Sequence, residues 1–353
     1  MKLDKEILDY ALVGGCILGG GGGGARELGQ VSGNIALEYS DLHLVNISEI
    51  ADDALIVTAS SVGAPAAPDK YVKPKDYIRT IESLKSTLGV EIGGIITNEN
   101  GGAATINGWI QASIMGIPLI DAPCNGRAHP TGTMGSMGLN NIEGFISYQS
   151  YAGGNPEKGL RVEGIVSGGL MKSATMIREA AVHAGGLVAV ARNIVDAKYV
   201  KENAALNGIS HAIETGKNFY EGLKNSPSDA IKRVAEFLNG EVVVEGRIDE
   251  FTLVTKGGFD VGEVIVSGVE MTFWNEYMTL ELDGERLYTF PDLIMSFDKK
   301  TGFPVTTAEI SEGMEIAIIA TKKNNLKLGS GMFDMKLLKE VEPIVNKEIV
   351  KYF

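Results

Sequence analysis

Several things are scarce in this sequence, and each scarcity excludes something. Only two cysteines occur, Cys16 and Cys124, too few for a disulfide framework, so packed apolar cores in a reducing, cytoplasmic compartment are expected. No uninterrupted apolar stretch reaches the roughly 18 residues of a membrane helix. The first residues, Met-Lys-Leu-Asp-Lys-Glu, mix acids with bases and do not read as a secretory signal. Basic residues are also in deficit, with 32 Lys and Arg against 45 Asp and Glu and a net charge of −13. A broad phosphate-binding face is therefore excluded, and neither nucleic acid nor a membrane is expected as a partner.

What is abundant is glycine, 45 residues in 353, nearly twice the usual share of about 7%. The length predicts two domains with real cores. From Asp4 to Leu18 apolar residues recur at helical spacing, with Asp4 as N-cap. Six glycines, Gly19 to Gly24, must stop that helix, because glycine has the highest ordering cost of any residue. A short helix near 25–28 and strands around 35–39 and 42–47 are expected next. Then Ala54 to Ala59, Lys75 to Leu88 and Gly94 to Thr97 read as strand, helix, strand. A second helical stretch through Met115 and a buried strand, Ile117 to Ile120, extend the alternation, which predicts a layered α/β domain with a mainly parallel sheet.

Beyond Tyr151 the texture changes. A strand near 160–166, a helix over 170–183 and three helical segments between Asp196 and Leu238 lead into alternating short strands from Glu241 to Thr321, as in an antiparallel barrel or sandwich. The domains expected are an α/β unit over 1–165, a helical connection over 166–240, a β-rich unit over 241–325, and a closing helix within 326–353 that packs back on the first unit.

In layered α/β sheets, sites form just past the carboxyl ends of the strands. Three such ends should meet here: Ser60 to Pro65; Asn98, Glu99, Asn100, Gly101 and Gly102; and Asp121 to Pro130, which includes Cys124, Asn125, Gly126, Arg127 and His129. Asp121, Cys124 and His129 lie within nine residues and offer carboxylate, thiolate and imidazole to one divalent metal such as zinc, which would activate water. The same residues also read as a Cys124–His129 nucleophile pair oriented by Asp121 or Glu99. In either case Arg127 would clamp an oxyanion or carboxylate. Asn98, Asn100, Asn125 and Gly126 would bind ligand. The bare amides of Gly21, Gly22, Gly23 and Gly24 would hold an anion or carbonyl oxygen. A nicotinamide fingerprint fits less well, since a helix rather than a strand precedes the run. Asn275-Glu276 and Pro291-Asp292 are polar breaks among strands. They read as turns, although they could reach the site across a domain interface.

Several of these pieces together resemble a known family. The oligoglycine after Ile17-Leu18, Glu91-Ile92-Gly93-Gly94, Gly116 to Asp121 followed by Gly126-Arg127-Ala128 and Pro130, Asn275-Glu276-Tyr277, and Pro291 to Ile294 are similar in order and spacing to the S-methyl thiohydantoin desulfurase family, formerly described as hydantoinase/oxoprolinase-like. The chain differs from the family's usual residues at Ala25, His129, Thr131 and around Cys124. The resemblance implies an N-terminal α/β domain, a β-rich second domain and chemistry on a small five-membered cyclic amide. The expected function is a hydrolase of a hydantoin- or thiohydantoin-type ring, a small-molecule substrate. The alternatives are a non-catalytic binding or accessory protein and, third, a nicotinamide oxidoreductase. A homo-oligomer is the expectation for such an enzyme.

Overall fold

The computed structural model describes residues 1–64 and 67–353. Pro65, at the tip of the first expected strand end, lies outside the described residues. The chain opens with α1 (Lys5–Gly19), whose N-cap Asp4 accepts the Ile7 amide at 2.9 Å and whose C-cap Gly20 adopts the left-handed conformation. There follow α2 (Arg26–Tyr39), β1 (Leu44–Val45), β2 (Leu55–Gly63), α3 (Pro74–Leu88), β3 (Gly94–Thr97), α4 (Trp109–Met115) and β4 (Leu119–Ile120). Next come β5 (Ser147–Gly153), β6 (Val162–Gly168), α5 (Leu170–His183), β7 (Leu187–Asp196), α6 (Ala197–Asn203), α7 (Gly208–Leu223) and α8 (Pro227–Phe237).

One seven-stranded sheet, in the order β1-β4-β3-β2-β7-β5-β6, organises this half. Its first four strands are parallel, and β7, β5 and β6 are added antiparallel. The parallel strands are buried on both faces, and the apolar run of β2 reflects that. Two expectations fail locally. Residues 35–39, read as a strand, complete α2, because Gly29, Gly33 and Ala36 fall on one helical face and bury it. Strands β5 and β7 give little sequence signal. Small residues such as Ala189 and Ala191 alternate with valines in β7, which is buried on both sides from Val188 to Asn193.

The second half is antiparallel: β8 (Glu241–Lys256), β9 (Phe259–Val266), β10 (Val269–Trp274), β11 (Glu276–Leu282), β12 (Glu285–Thr289), β13 (Leu293–Asp298), β14 (Pro304–Val305) and β15 (Glu315–Thr321). Strand β8 pairs with β15 through residues 241–247 and with β9 through residues 248–256. One long strand thus carries the sheet around a core of Ile248, Val264, Met271, Phe273, Tyr277, Ile294 and Ile316. Met271 to Leu282, read as one strand, is broken at Asn275, whose φ is +56°. Its amide donates to the Asp260 carbonyl at 2.7 Å, and its Oδ1 accepts the Asp260 amide at 2.9 Å. Helix α9 (Met335–Val345) seats on Trp274, Met278 and Phe290 of this sheet, with Met134 as a contact from the first half.

Helices α1, α7 and α8 of the first half pack together onto β13 and β15 of the second, with Ile17, Phe219 and Val234 against Leu293, Met295 and Ile319. Helices α1 and α7 pack backbone to backbone, and a Cβ at Gly14 would overlap the Ala212 carbonyl, as one at Gly216 would overlap that of Tyr10. Neither neighbour is a side chain that can swing away. Gly14→Ala is therefore expected to destabilise the protein by about 3 kcal/mol, read as a lower urea midpoint at unchanged slope.

Candidate active site

A cavity of about 320 Å³ lies past the carboxyl ends of β2 and β3, at the low end of the size range of small-molecule sites. The oligoglycine turn forms part of its wall. Gly20, Gly21, Gly23 and Gly24 all have positive φ, a region that side-chain-bearing residues rarely adopt. The Gly20 carbonyl accepts the Tyr277 amide at 2.8 Å, Gly21 that of Thr307 at 3.0 Å, and Gly23 those of Ala103 and Ala104, both at 3.0 Å. One turn is thus bonded to the loop after β3 and to the β-rich half at once. Gly23 and Gly24 line the cavity. Gly21 spends its carbonyl on Thr307, and Gly22 lies so close to the Glu276 carboxylate that a Cβ there would collide with it.

Two buried carboxyls face into the cavity, Glu99 from the first half and Glu276 from the second. Burial pushes Glu99 up from its ordinary 4.5 to about 7. It pushes Glu276 well above its ordinary value too, with repulsion from Glu99 adding to the shift. Glu276 Oε2 has no hydrogen-bond partner. The His129 amide donates to Glu99 Oε2 at 3.2 Å, and His129 Nε2 lies 3.2 Å from the same oxygen without the alignment of a hydrogen bond. Burial, with Arg192 nearby, lowers the imidazole to about 3, so His129 is neutral.

Two arginines complete the polar wall. Arg192 is 3% exposed, and its Nε has no partner. It sits on β7 beside a bulge, where the register against β2 slips between Ile56 and Thr58 and Asn193 takes a φ of +53°. Bulges beside sites re-aim side chains in this way. Arg178, on α5, donates to the carbonyls of Gly63 at 2.8 Å, Gly258 at 2.9 Å and Pro130 at 3.0 Å, and stacks 4.2 Å over the Phe259 ring. Asn98 Oδ1 accepts from Asn107 Nδ2 at 3.1 Å, and Asn107 Oδ1 accepts from the Ser61 hydroxyl at 3.2 Å. These bonds extend the polar wall away from Glu99.

Of the residues expected at the site, Glu99, His129, Asn98, Gly23 and Gly24 line the cavity, as do Ser61 to Ala64 and Pro130 of the expected strand ends and the Asn275-Glu276 break; the remaining candidates lie elsewhere. Asp121 caps α7, accepting the Ile209 amide at 2.8 Å and the Ser210 hydroxyl at 2.5 Å. Cys124 is packed among Ile96, Ile120 and Met137, within 3.2 Å of the Thr58 hydroxyl, and burial raises its thiol to about 11. Asp121, Cys124 and His129 therefore do not meet as metal ligands. Among the described residues no three His, Cys, Asp or Glu side chains converge to hold an ion. Neither is Cys124 paired with His129 as a nucleophile. Arg127 is fully buried behind the cavity, stacked 4.5 Å over Phe290 and donating to the carbonyls of Asp292 and, at 3.3 Å, Ala128. Asn100 Nδ2 bonds the carbonyls of Gly126 and Gly208 at 3.1 and 2.9 Å, Asn125 Nδ2 bonds that of Arg127 at 2.8 Å, and Gly126 abuts the Lys327 carbonyl. These three hold the loop after β4 in place.

Sequence reasoning did not single out Arg178 and Arg192. Both lie in segments read only as a helix and its aftermath, and lone arginines there carry no spacing signal. Glu276 was visible as a polar break among strands, but which way the break points depends on Asn275.

The family model described as "S-Me-THD-like, N-terminal domain" matches residues 6–156, and "S-Me-THD-like, C-terminal domain" matches residues 171–327. No curated protein matches the chain. A crystal structure of a protein from Chromobacterium violaceum superposes with a TM-score of 0.72 at 19% identity, over 97% of this chain and 96% of that one. At that identity the likeness concerns the fold alone.

Two measurements check this electrostatic description. Both carboxyls hold a proton more tightly folded than unfolded, so their contribution to stability is complete below about pH 4.5 and is lost as the pH rises, for Glu99 through about 7. Glu276→Gln should therefore raise the melting temperature more at pH 8 than at pH 5. Cys16 and Cys124, each 1% exposed with thiols raised to about 12 and 11, should resist alkylation at pH 8 in the native protein and react only after unfolding.

Proposed function

The chain belongs to the S-Me-THD-like family, and on that footing we propose that it hydrolyses a small thiohydantoin-type ring in the cavity between its two halves. The observation that carries this reading is a pair of buried carboxyls, one from each half, both shifted upward beside a cation with an unspent hydrogen-bond donor. Two buried carboxyls facing one cavity cannot both ionise easily, so the pair shares its protons and supplies an acid and a base at neutral pH.

The chemistry runs on water. Ionised Glu99 takes a proton from a water whose oxygen bonds the ring carbon that carries sulfur, and neutral Glu276 gives its proton to the adjoining ring nitrogen. As the adduct collapses, Glu276 takes the proton of the new hydroxyl and Glu99 gives its proton to the departing sulfur. One water is consumed, one thiol leaves, the carbon keeps its oxygen as a carbonyl, and both carboxyls return to their starting states. Arg192 stabilises the oxygen while it is negative, the role expected of Arg127. The nucleophile is water rather than Cys124, because that thiol is outside the cavity and held protonated.

Glu99→Gln and Glu276→Gln should each lower kcat/KM at least about 100-fold on an S-alkyl thiohydantoin, followed as thiol release. Wild-type activity should rise with pH through about 7 as Glu99 ionises. Turnover that survives both substitutions would overturn the proposal, and ring binding without any turnover would favour the accessory-protein alternative.

A further inference from the structure

The cavity is larger and more varied than a bare five-membered ring requires. Its volume of about 320 Å³ equals some ten waters at about 30 Å³ each, more than the heavy atoms of such a ring fill. Glu99, Glu276, Arg178 and Arg192 gather where β2, β3 and β7 meet the second half, and Lys70 and Lys73 line the cavity from the segment before α3. The walls formed by α2 and α4 are mainly apolar, with Leu28, Val31 and Ile35 from the first helix and Ile106 and Ile110 from the second and the turn before it, interrupted by Ser32 and Asn107. Leu28 and Val31 are 44% and 61% exposed, although apolar side chains on a helix face beside a groove are normally buried against something. Within this apolar arm Gln111 is 1% exposed, lines the cavity, and has no hydrogen-bond partner for its Nε2. A buried amide donor left unpaired is unfavourable unless a ligand completes it.

Resting on the ring-hydrolase reading, the geometry points to a bipartite substrate: a ring held among Glu99, Glu276 and Arg192, bearing an apolar substituent that runs between α2 and α4 and ends in a hydrogen-bond acceptor bonded by Gln111 Nε2. The ring is then of the kind derived from an amino acid with an uncharged, mainly apolar side chain. Gln111 is the residue that sets this preference, and it takes no part in the proton transfers.

The test uses the full chain and three S-alkyl thiohydantoins: unsubstituted, with a plain alkyl arm, and with an arm of equal length ending in a carboxamide. Wild type is expected to show kcat/KM at least tenfold higher for either armed ring than for the bare one, and a further gain for the carboxamide. Gln111→Met, which keeps the volume and removes the donor, should lose about tenfold on the carboxamide arm alone, a change in KM with kcat kept. Equal loss on all three rings, or no preference of wild type for an arm, would overturn the inference while leaving the hydrolase reading intact. Calorimetric binding of the same rings separates the two ideas if none is turned over. Tighter binding of the armed rings would then support the arm while the hydrolase reading falls, and equal or absent binding would overturn the arm as well.

Discussion

The site depends on one close approach: a backbone turn without side chains pressed between two halves of the molecule. The carbonyls of Gly20 and Gly21 take amides from Tyr277 and Thr307, while that of Gly23 takes amides from the loop after β3. Glu276 directly precedes Tyr277, so the first of these bonds fixes where its carboxylate lies. A side chain at Gly22 would occupy the same space. The glycine run lines part of the cavity with Gly23 and Gly24. Its lack of side chains also lets a carboxyl from the β-rich half enter a cavity built mainly by the α/β half.

Electrostatics follow from that placement. Glu276 arrives next to Glu99 in the cavity, burial raises both carboxyls, and repulsion from Glu99 adds to the shift of Glu276. Arg127, Arg178 and Arg192 surround the pair, and the same burial lowers all three from the ordinary arginine value. Arg127 and Arg178 spend donors on backbone carbonyls and stack on phenylalanines. Arg192 alone of the three has a buried Nε with no partner while lining the cavity. Arg127 too keeps a buried Nη2 without a partner, but it lies outside the cavity lining, so position rather than a lack of free donors sets it apart from Arg192.

How much was legible in the sequence follows the range of the forces involved. Helix α1, its cap Asp4 and its stop at the glycines are local effects, and so are the buried runs of β2, β3 and β4. They place Glu99 past a strand end correctly. The pairing of β7 between β2 and β5 is a long-range choice made by alanines and valines with no strong periodicity, so Arg192 stayed hidden with its strand. Asp121 and Cys124 looked reactive because their residue types are. Only the tertiary position of α7 shows the carboxylate occupied as a cap, and only the packing around Ile96 and Met137 shows the thiol shut in.

Strand β7 has a consequence for how this architecture can be cut. It belongs in sequence to the stretch matched by the C-terminal family model, yet it lies in the middle of the sheet of the other half. Splitting the chain between residues 156 and 171 would strip that sheet of an interior strand and expose two new edges, β2 and β5. The two matched regions are thus not interchangeable modules. Neither can be shuffled onto a foreign partner without leaving its sheet unfinished, and inheritance should transmit them as a single block.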